Sequence, residues 1–321
     1  MLKINRFSAL KENNSDEALL NFTFAYSYYL TTYLRFNSIL KWNLPASNLA
    51  NNSFMKSYLL LLFLLSLIVV GCNNENPLES LNPSSYYNKI LTIDTSNYTI
   101  EMYSKTSTVL QVGYNELGFR ILKDGVERNT GFLKFNPIMY HTNSQHPTPV
   151  QDTFFYNNLD RLFTGYACFI MISDTTSVWA ADYNYNNEFT IRKNKFDVFS
   201  SPVTQMRFWL DLQTNNVYLL TLIKPANPIT GLNDYEIILH KTPDQTVYYE
   251  VDSAEFYIRP WMPSHGHGSS NNVNPIFKGN GKYEGIVNFT MPGQWYVYDS
   301  IKVNNNFITP TPSSYFVFDV R

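Results

Sequence analysis

Four of the five histidines in this chain lie in two short loops. The first loop reads Met139-Tyr140-His141-Thr142-Asn143-Ser144-Gln145-His146-Pro147, and the second Met262-Pro263-Ser264-His265-Gly266-His267-Gly268. Imidazole nitrogen beside thioether sulfur is a ligand set for copper, and for Cu(I) above all, because soft sulfur prefers the soft ion. Zinc would normally recruit thiolates or a carboxylate, and neither stands close by in the sequence. His265 and His267, one glycine apart, can point the same way from an extended backbone, with Met262 three residues earlier. Met291, or Met171 in the first loop's half, closes an apolar strand and is the candidate fourth ligand. The first set, Met139, His141 and His146, has looser spacing. Two plainer readings compete: histidines of exposed loops can simply stay in water, and Met171 and Met291 can be packing residues of a core face. His240 stands alone near an expected strand end, as a structural or solvated residue.

Other chemistry is hard to build from these residues. There is no Gly-x-Ser-x-Gly elbow, no His-Glu-x-x-His and no phosphate loop, and Asp152, Asp160, Asp174, Glu255 and Glu284 are scattered singly. The expectation is therefore a protein that is not an enzyme. With 24 basic against 26 acidic residues, no nucleic-acid partner is expected either.

The elements that must position the loops come from a repeat. Gly113-Tyr114-Asn115, Pro137-Ile138-Met139, Phe163 to Met171, Trp179 and Phe196-Asp197-Val198 recur in order as Gly231-Leu232-Asn233, Pro260-Trp261-Met262, Tyr283 to Met291, Trp295 and Phe318-Asp319-Val320. The offsets between matched landmarks stay within 116 to 123 residues, so chance is a weak competitor. Short alternating runs, Tyr98 to Met102, Leu117 to Ile121, Val217 to Ile223, Tyr248 to Ile258 and Trp295 to Ile301, are bounded by turn residues such as Lys123-Asp124-Gly125 and Gly279-Asn280-Gly281. With 24 Tyr and 23 Phe and no long helical period, the chain is expected to be all-β, with two tandem immunoglobulin-like β-sandwich domains at 92–200 and 201–321. Period-2 counting sets Phe163, Gly165, Ala167, Phe169 and Met171 on a core face, matched by Tyr283, Gly285, Val287, Phe289 and Met291. Cys168 falls on the other face with Tyr166 and Ile170, as a half-buried small hydrophobe.

Upstream, Tyr58 to Val70 is an apolar run of 13 residues after Met55-Lys56, ending at Gly71-Cys72. That is short for a span, which needs about 20 residues. A positive start, a short apolar stretch and a small residue before a cysteine describe a lipoprotein signal at 55–71. Lipid on Cys72 would then hold the protein to a membrane, at about 0.8 kcal/mol per buried methylene. Residues 1–54 are expected to be an over-extended reading frame with Met55 the start, and 72–91 a polar tether. Only Cys168 remains as a thiol, so no disulfide within the chain is expected and packed sheets carry stability.

These motifs resemble the YtkA-like domain, related to the FixH family. The second copy carries the resemblance best, through Trp261-Met262-Pro263-Ser264-His265-Gly266-His267-Gly268, Gly281 to Gly285 and Met291-Pro292-Gly293-Gln294-Trp295. The first has Ile138 in place of the tryptophan and a longer gap before Trp179. The resemblance implies an immunoglobulin-like sandwich outside the cytoplasmic membrane, copper handling, and assembly of copper-containing respiratory oxidases. FixH itself has one such domain on a transmembrane helix, so the general copper role is the better supported of the two. The expected partners are the membrane, through Cys72, and a copper acceptor or another envelope protein. A structural or partner-binding envelope lipoprotein without metal is the alternative, and a sugar-binding surface around Trp261 and Tyr140 a weaker one.

Overall fold

The alternating runs become strands because every second side chain can enter a core while its neighbours face water. The computed structural model describes residues 86–203, 205–309 and 314–321. The expected preface, signal, lipidation site Cys72 and the tether up to residue 85 lie outside the described residues.

The first half contains β1 (Asn88–Asp94), β2 (Tyr98–Ser104), β3 (Gly113–Lys123), β4 (Val126–Arg128), β5 (Phe132–Tyr140), β6 (Gln145–Pro147), β7 (Phe154–Asn157), β8 (Leu162–Phe169), β9 (Val178–Tyr185) and β10 (Phe189–Phe196). They hydrogen-bond in the order β1-β2-β3-β8-β7-β5-β9-β10, with β4 on β3 and β6 on β5. The second half contains β11 (Met206–Asp211), β12 (Asn216–Lys224), β13 (Gly231–Thr242), β14 (Tyr249–Glu250), β15 (Ala254–Met262), β16 (His267–Gly268), β17 (Val273–Gly279), β18 (Lys282–Phe289), β19 (Gly293–Val303), β20 (Asn306–Phe307) and β21 (Tyr315–Val320). One sheet runs β11-β12-β13-β18-β17 with β14 on β13, and a second runs β16-β15-β19-β20 with β21 also on β19. All described elements are strands, and the described residues are all-β, built as immunoglobulin-like sandwiches.

The strand orders of the halves correspond: β1-β2-β3-β8-β7 to β11-β12-β13-β18-β17, and β6-β5-β9-β10 to β16-β15-β19-β21. The difference is one ladder. In the first half β7 also pairs with β5, Phe132 opposite Phe155 and Leu133 opposite Phe154, which joins two layers into a continuous sheet. In the second half β17 stays apart, and the Asn274 side chain instead accepts the Ile258 N–H.

Each half has its own core. Ile100, Phe119, Phe135, Phe163, Phe169, Trp179 and Tyr183 pack in the first, and Tyr235, Leu239, Phe256, Tyr283, Phe289, Trp295 and Phe316 in the second. Burial of each such side chain contributes on the order of 1.5–3 kcal/mol. A third cluster lies between the halves, where Tyr114, Tyr166 and Cys168 meet Met206, Leu219 and Ile238.

Several expectations are altered here. β1 begins at Asn88 and so straddles the expected tether boundary at residue 91. The run Tyr248 to Ile258 divides into β14 and β15 because Val251 turns into the core while the Asp252 carboxylate accepts the Gly281 N–H. The core face of β8 is as counted up to Phe169, but Met171 lies beyond the strand end and is 42% exposed. Cys168 is fully buried, not half-buried, because the second half covers the face it occupies. Burial pushes its thiol up to about 12, which makes it a packing residue and an unreactive one. His240 lies two residues from the end of β13 and is the structural one of its two readings, not the solvated one: it is 1% exposed, its Nε2 3.0 Å from the Tyr166 hydroxyl, which donates to Glu250 at 2.5 Å.

Candidate metal centres

Each His loop joins a long strand to a two- or three-residue one, and the register decides which side chains meet. Met139 lies opposite His146 across β5–β6, and Met262 opposite His267 across β15–β16. Residues paired across an antiparallel ladder share a face, so each thioether is set beside an imidazole. The loops then fold back to bring in the other histidine. Ring centroids lie 5.2 Å apart for His141 and His146, and 6.0 Å apart for His265 and His267.

The hydrogen bonds fix which nitrogen is free. His146 Nδ1 is 3.0 Å from the Pro147 carbonyl and His267 Nδ1 is 2.9 Å from the Gly268 carbonyl. A carbonyl can only accept, so each Nδ1 carries the proton and each Nε2 keeps its lone pair. An imidazole whose N–H is held by a backbone carbonyl is the arrangement found behind metal-bound histidines. His146 Nε2 is in addition buried without a hydrogen-bond partner in the described structure. His141 is oriented by Ser177, whose Oγ is 2.9 Å from its Nδ1.

One tryptophan stands behind each loop. Trp179 and Trp295 are both fully buried, and each meets the nearer histidine edge to face: His146–Trp179 at 5.8 Å and 87°, His267–Trp295 at 5.6 Å and 77°. Their indole N–H groups donate to Met171 O at 2.9 Å and to Met291 O at 3.0 Å. The tryptophan thus fixes the turn that carries the candidate fourth ligand. The sequence marks these tryptophans as repeat landmarks and as part of the YtkA-like resemblance, without a role in the loops. Their common position after a strand-ending methionine was the available signal.

The methionines differ in how free they are. Met139 and Met262 are 0% and 2% exposed and belong to the cores, Met291 packs partly against the second core, and Met171 is open to solvent. Met262 depends on a glycine. A Cβ at Gly293, whose φ is +123°, would lie 2.6 Å from Met262 Cε. Gly293→Ala is expected to destabilise by about 1–3 kcal/mol in urea unfolding, through backbone strain and displacement of Met262. Unchanged stability would mean that Met262 relaxes freely. Among the described residues no group of three or more His, Cys, Asp or Glu is gathered, so a metal in either loop would need the thioethers.

The two halves share further detail. Gly113 and Gly231 have φ of +104° and +105°, and two residues on an asparagine, Asn115 or Asn233, closes the same loop with its side-chain amide. Val112 N–H donates to Phe199 O in one half as Thr230 N–H donates to Arg321 O in the other.

Residues 212–298 match the family model described as YtkA-like. That segment contains the second loop with Met262, His265, His267, Met291 and Trp295. No curated protein matches this chain. Among solved structures, FdeC, an adhesin of Escherichia coli, is similar at 11% identity and a TM-score of 0.24, covering 66% of this chain. The match spans 61% of that protein, less than two thirds of its length.

Proposed function

We propose that this protein is a non-enzymatic copper-binding lipoprotein of the cell envelope, made of two copies of one domain. Copper, as Cu(I), is held by Met262, His265 and His267 with Met291 as a fourth ligand, and in the first copy by Met139, His141 and His146. The observation that carries the reading is the matched geometry of the loops: two imidazoles, a cross-strand thioether and an indole-tethered methionine turn, with the Nε2 lone pairs of His146 and His267 left free. The YtkA-like match over the second loop supports it. Lipid on Cys72 would keep both loops at a membrane surface, where they pass copper to an acceptor or to a respiratory oxidase under assembly.

Titration of the purified protein with Cu(I) against a chromogenic chelator tests this. Wild type is expected to bind at both loops, and His265→Ala/His267→Ala to lose the second site, with an affinity drop of about 100-fold or more. Equal affinities in the two proteins would remove the site. The core burial of Met139 and Met262 favours a second reading, in which the loops only close the sandwich ends and the protein is a structural or partner-binding one.

A further inference from the structure

The outward faces of the two corresponding sheets are built differently. In the second half, the face formed by β15, β19 and β21 is filled by aromatic rings. Tyr296 stacks on Tyr315 at 4.8 Å, Tyr315 meets Tyr298 at 5.1 Å, and the Arg259 guanidinium lies 4.6 Å from the Tyr298 ring. In the first half, the tryptophan of the corresponding strand is followed by Ala180 where the second half has Tyr296. On β10, Lys195 pairs with Ala180, and on β5 so does Ile138. The missing ring leaves a hollow.

That hollow is a cleft of about 400 Å³ with Ala180 and Val178 in its floor, within the size range of small-molecule sites. Ala180 points away from the core, yet it is only 4% exposed, because the cleft walls rise around it. Tyr140, His141 and Thr142 form one wall, Thr175 and Thr176 another, and Lys193 and Lys195 the third.

Charge and backbone both point to an anion. No carboxylate lines the cleft, although the chain as a whole carries −2. The described structure gives neither Lys193 nor Lys195 an ion-pair partner, whereas Arg192, also on β10, is paired with Asp182 of β9. Lys193 occupies the extra position of a β-bulge between Ile191 and Asn194, at a φ of +51°. A lysine rarely adopts that conformation, and bulges of this kind re-aim side chains beside functional sites. The Asp182 carboxylate holds the bulge by accepting the Lys193 N–H at 2.8 Å, and the ammonium rests 5.2 Å from the Tyr140 ring centroid.

We propose that this cleft binds a small organic anion bearing two oxyanion groups, carboxylate or phosphate, with Lys193 and Lys195 as counter-ions and the threonine hydroxyls as donors. The site is independent of copper, although His141 borders both. Calorimetric titration of the full chain tests it, with succinate and pyrophosphate as two-group probes and acetate as a one-group control. At least one two-group probe is expected to bind more tightly than acetate. Lys193→Gln/Lys195→Gln is expected to weaken that binding by about tenfold or more through loss of two charge-assisted contacts. Ala180→Tyr, which restores the ring of the other half, is expected to abolish it, while the unfolding midpoint of the lysine variant stays at the wild-type value. Which probe wins distinguishes a carboxylate from a phosphoryl ligand. Equal affinity in wild type and the lysine variant, acetate binding as well as both two-group probes, or no binding at millimolar concentration would each overturn the proposal.

Discussion

Trp295→Ala is expected to destabilise the second half by about 3–5 kcal/mol and to abolish Cu(I) binding at its loop. The stability loss follows from packing. Trp295 is fully buried against Phe289 at 5.7 Å and is part of a core that includes Tyr283, Val287 and Phe318. Removing its ring leaves a void that a close-packed core collapses only in part. The binding loss follows from two contacts that no other residue supplies: the indole N–H to Met291 O, and the ring edge that limits where His267 can turn. Trp295→Phe separates them. Phenylalanine keeps most of the packing but leaves the Met291 carbonyl without its donor, at about 1–3 kcal/mol. The expected result for that variant is a modest loss in urea unfolding together with a clear loss of Cu(I) affinity. Wild-type Cu(I) affinity in Trp295→Phe would show that the tryptophan serves the core alone. Trp179→Phe makes the same comparison for the first loop, where the exposed Met171 gives the tether more to hold.

How far the sequence spoke for itself depended on the range of the interaction. The turn at Asp124-Gly125 and that at Asn280-Gly281 were legible because positive φ is a local demand, and both pairs adopt it. The core faces of β8 and β18 were legible because alternation is local too. The equivalence of the His loops came from counting between Met139 and Met262. Cys168 is more deeply buried than its strand alone implies, because the element that covers it, the Leu219 and Ile238 face of β12 and β13, is supplied by another half of the chain. Strand alternation has no means of announcing a second buried face. The β5–β7 ladder that fuses the first half's layers was invisible for the same reason: Leu133 and Phe154 look like any other inward pair. The tautomers of His146 and His267 rest on carbonyls one residue away, yet they became readable only when the strand register showed which way each ring faces.

The buried Asp299 is expected to make stability depend on pH. It lies on β19 with no exposure, and both carboxyl oxygens accept from the Tyr235 hydroxyl at 3.0 Å. Burial pushes the carboxyl up to about 8 from an ordinary 3.8, against the opposing pull of the Tyr235 hydrogen bond and the Arg207 charge. A raised folded pKa means that the native state holds the proton more tightly than the unfolded chain. The stabilisation is therefore complete below about 3.8 and is lost as pH rises through about 8. His240 acts in the opposite sense, because burial lowers it to about 3 from 6.5, so its contribution is present above 6.5 and is lost as pH falls through about 3. Between about 4 and 6 the two slopes offset one another, and above 6.5 Asp299 acts alone, at about 1.4 kcal/mol per pH unit. Asp299→Asn keeps an acceptor for Tyr235 and removes the titration. It is expected to flatten the fall in stability between pH 6.5 and 8 and to stabilise the protein at pH 8 by on the order of 3–5 kcal/mol, measured by urea unfolding across that range. An unchanged slope in Asp299→Asn would show that Arg207 holds the carboxylate ionised in the folded core, and that the alkaline loss arises elsewhere.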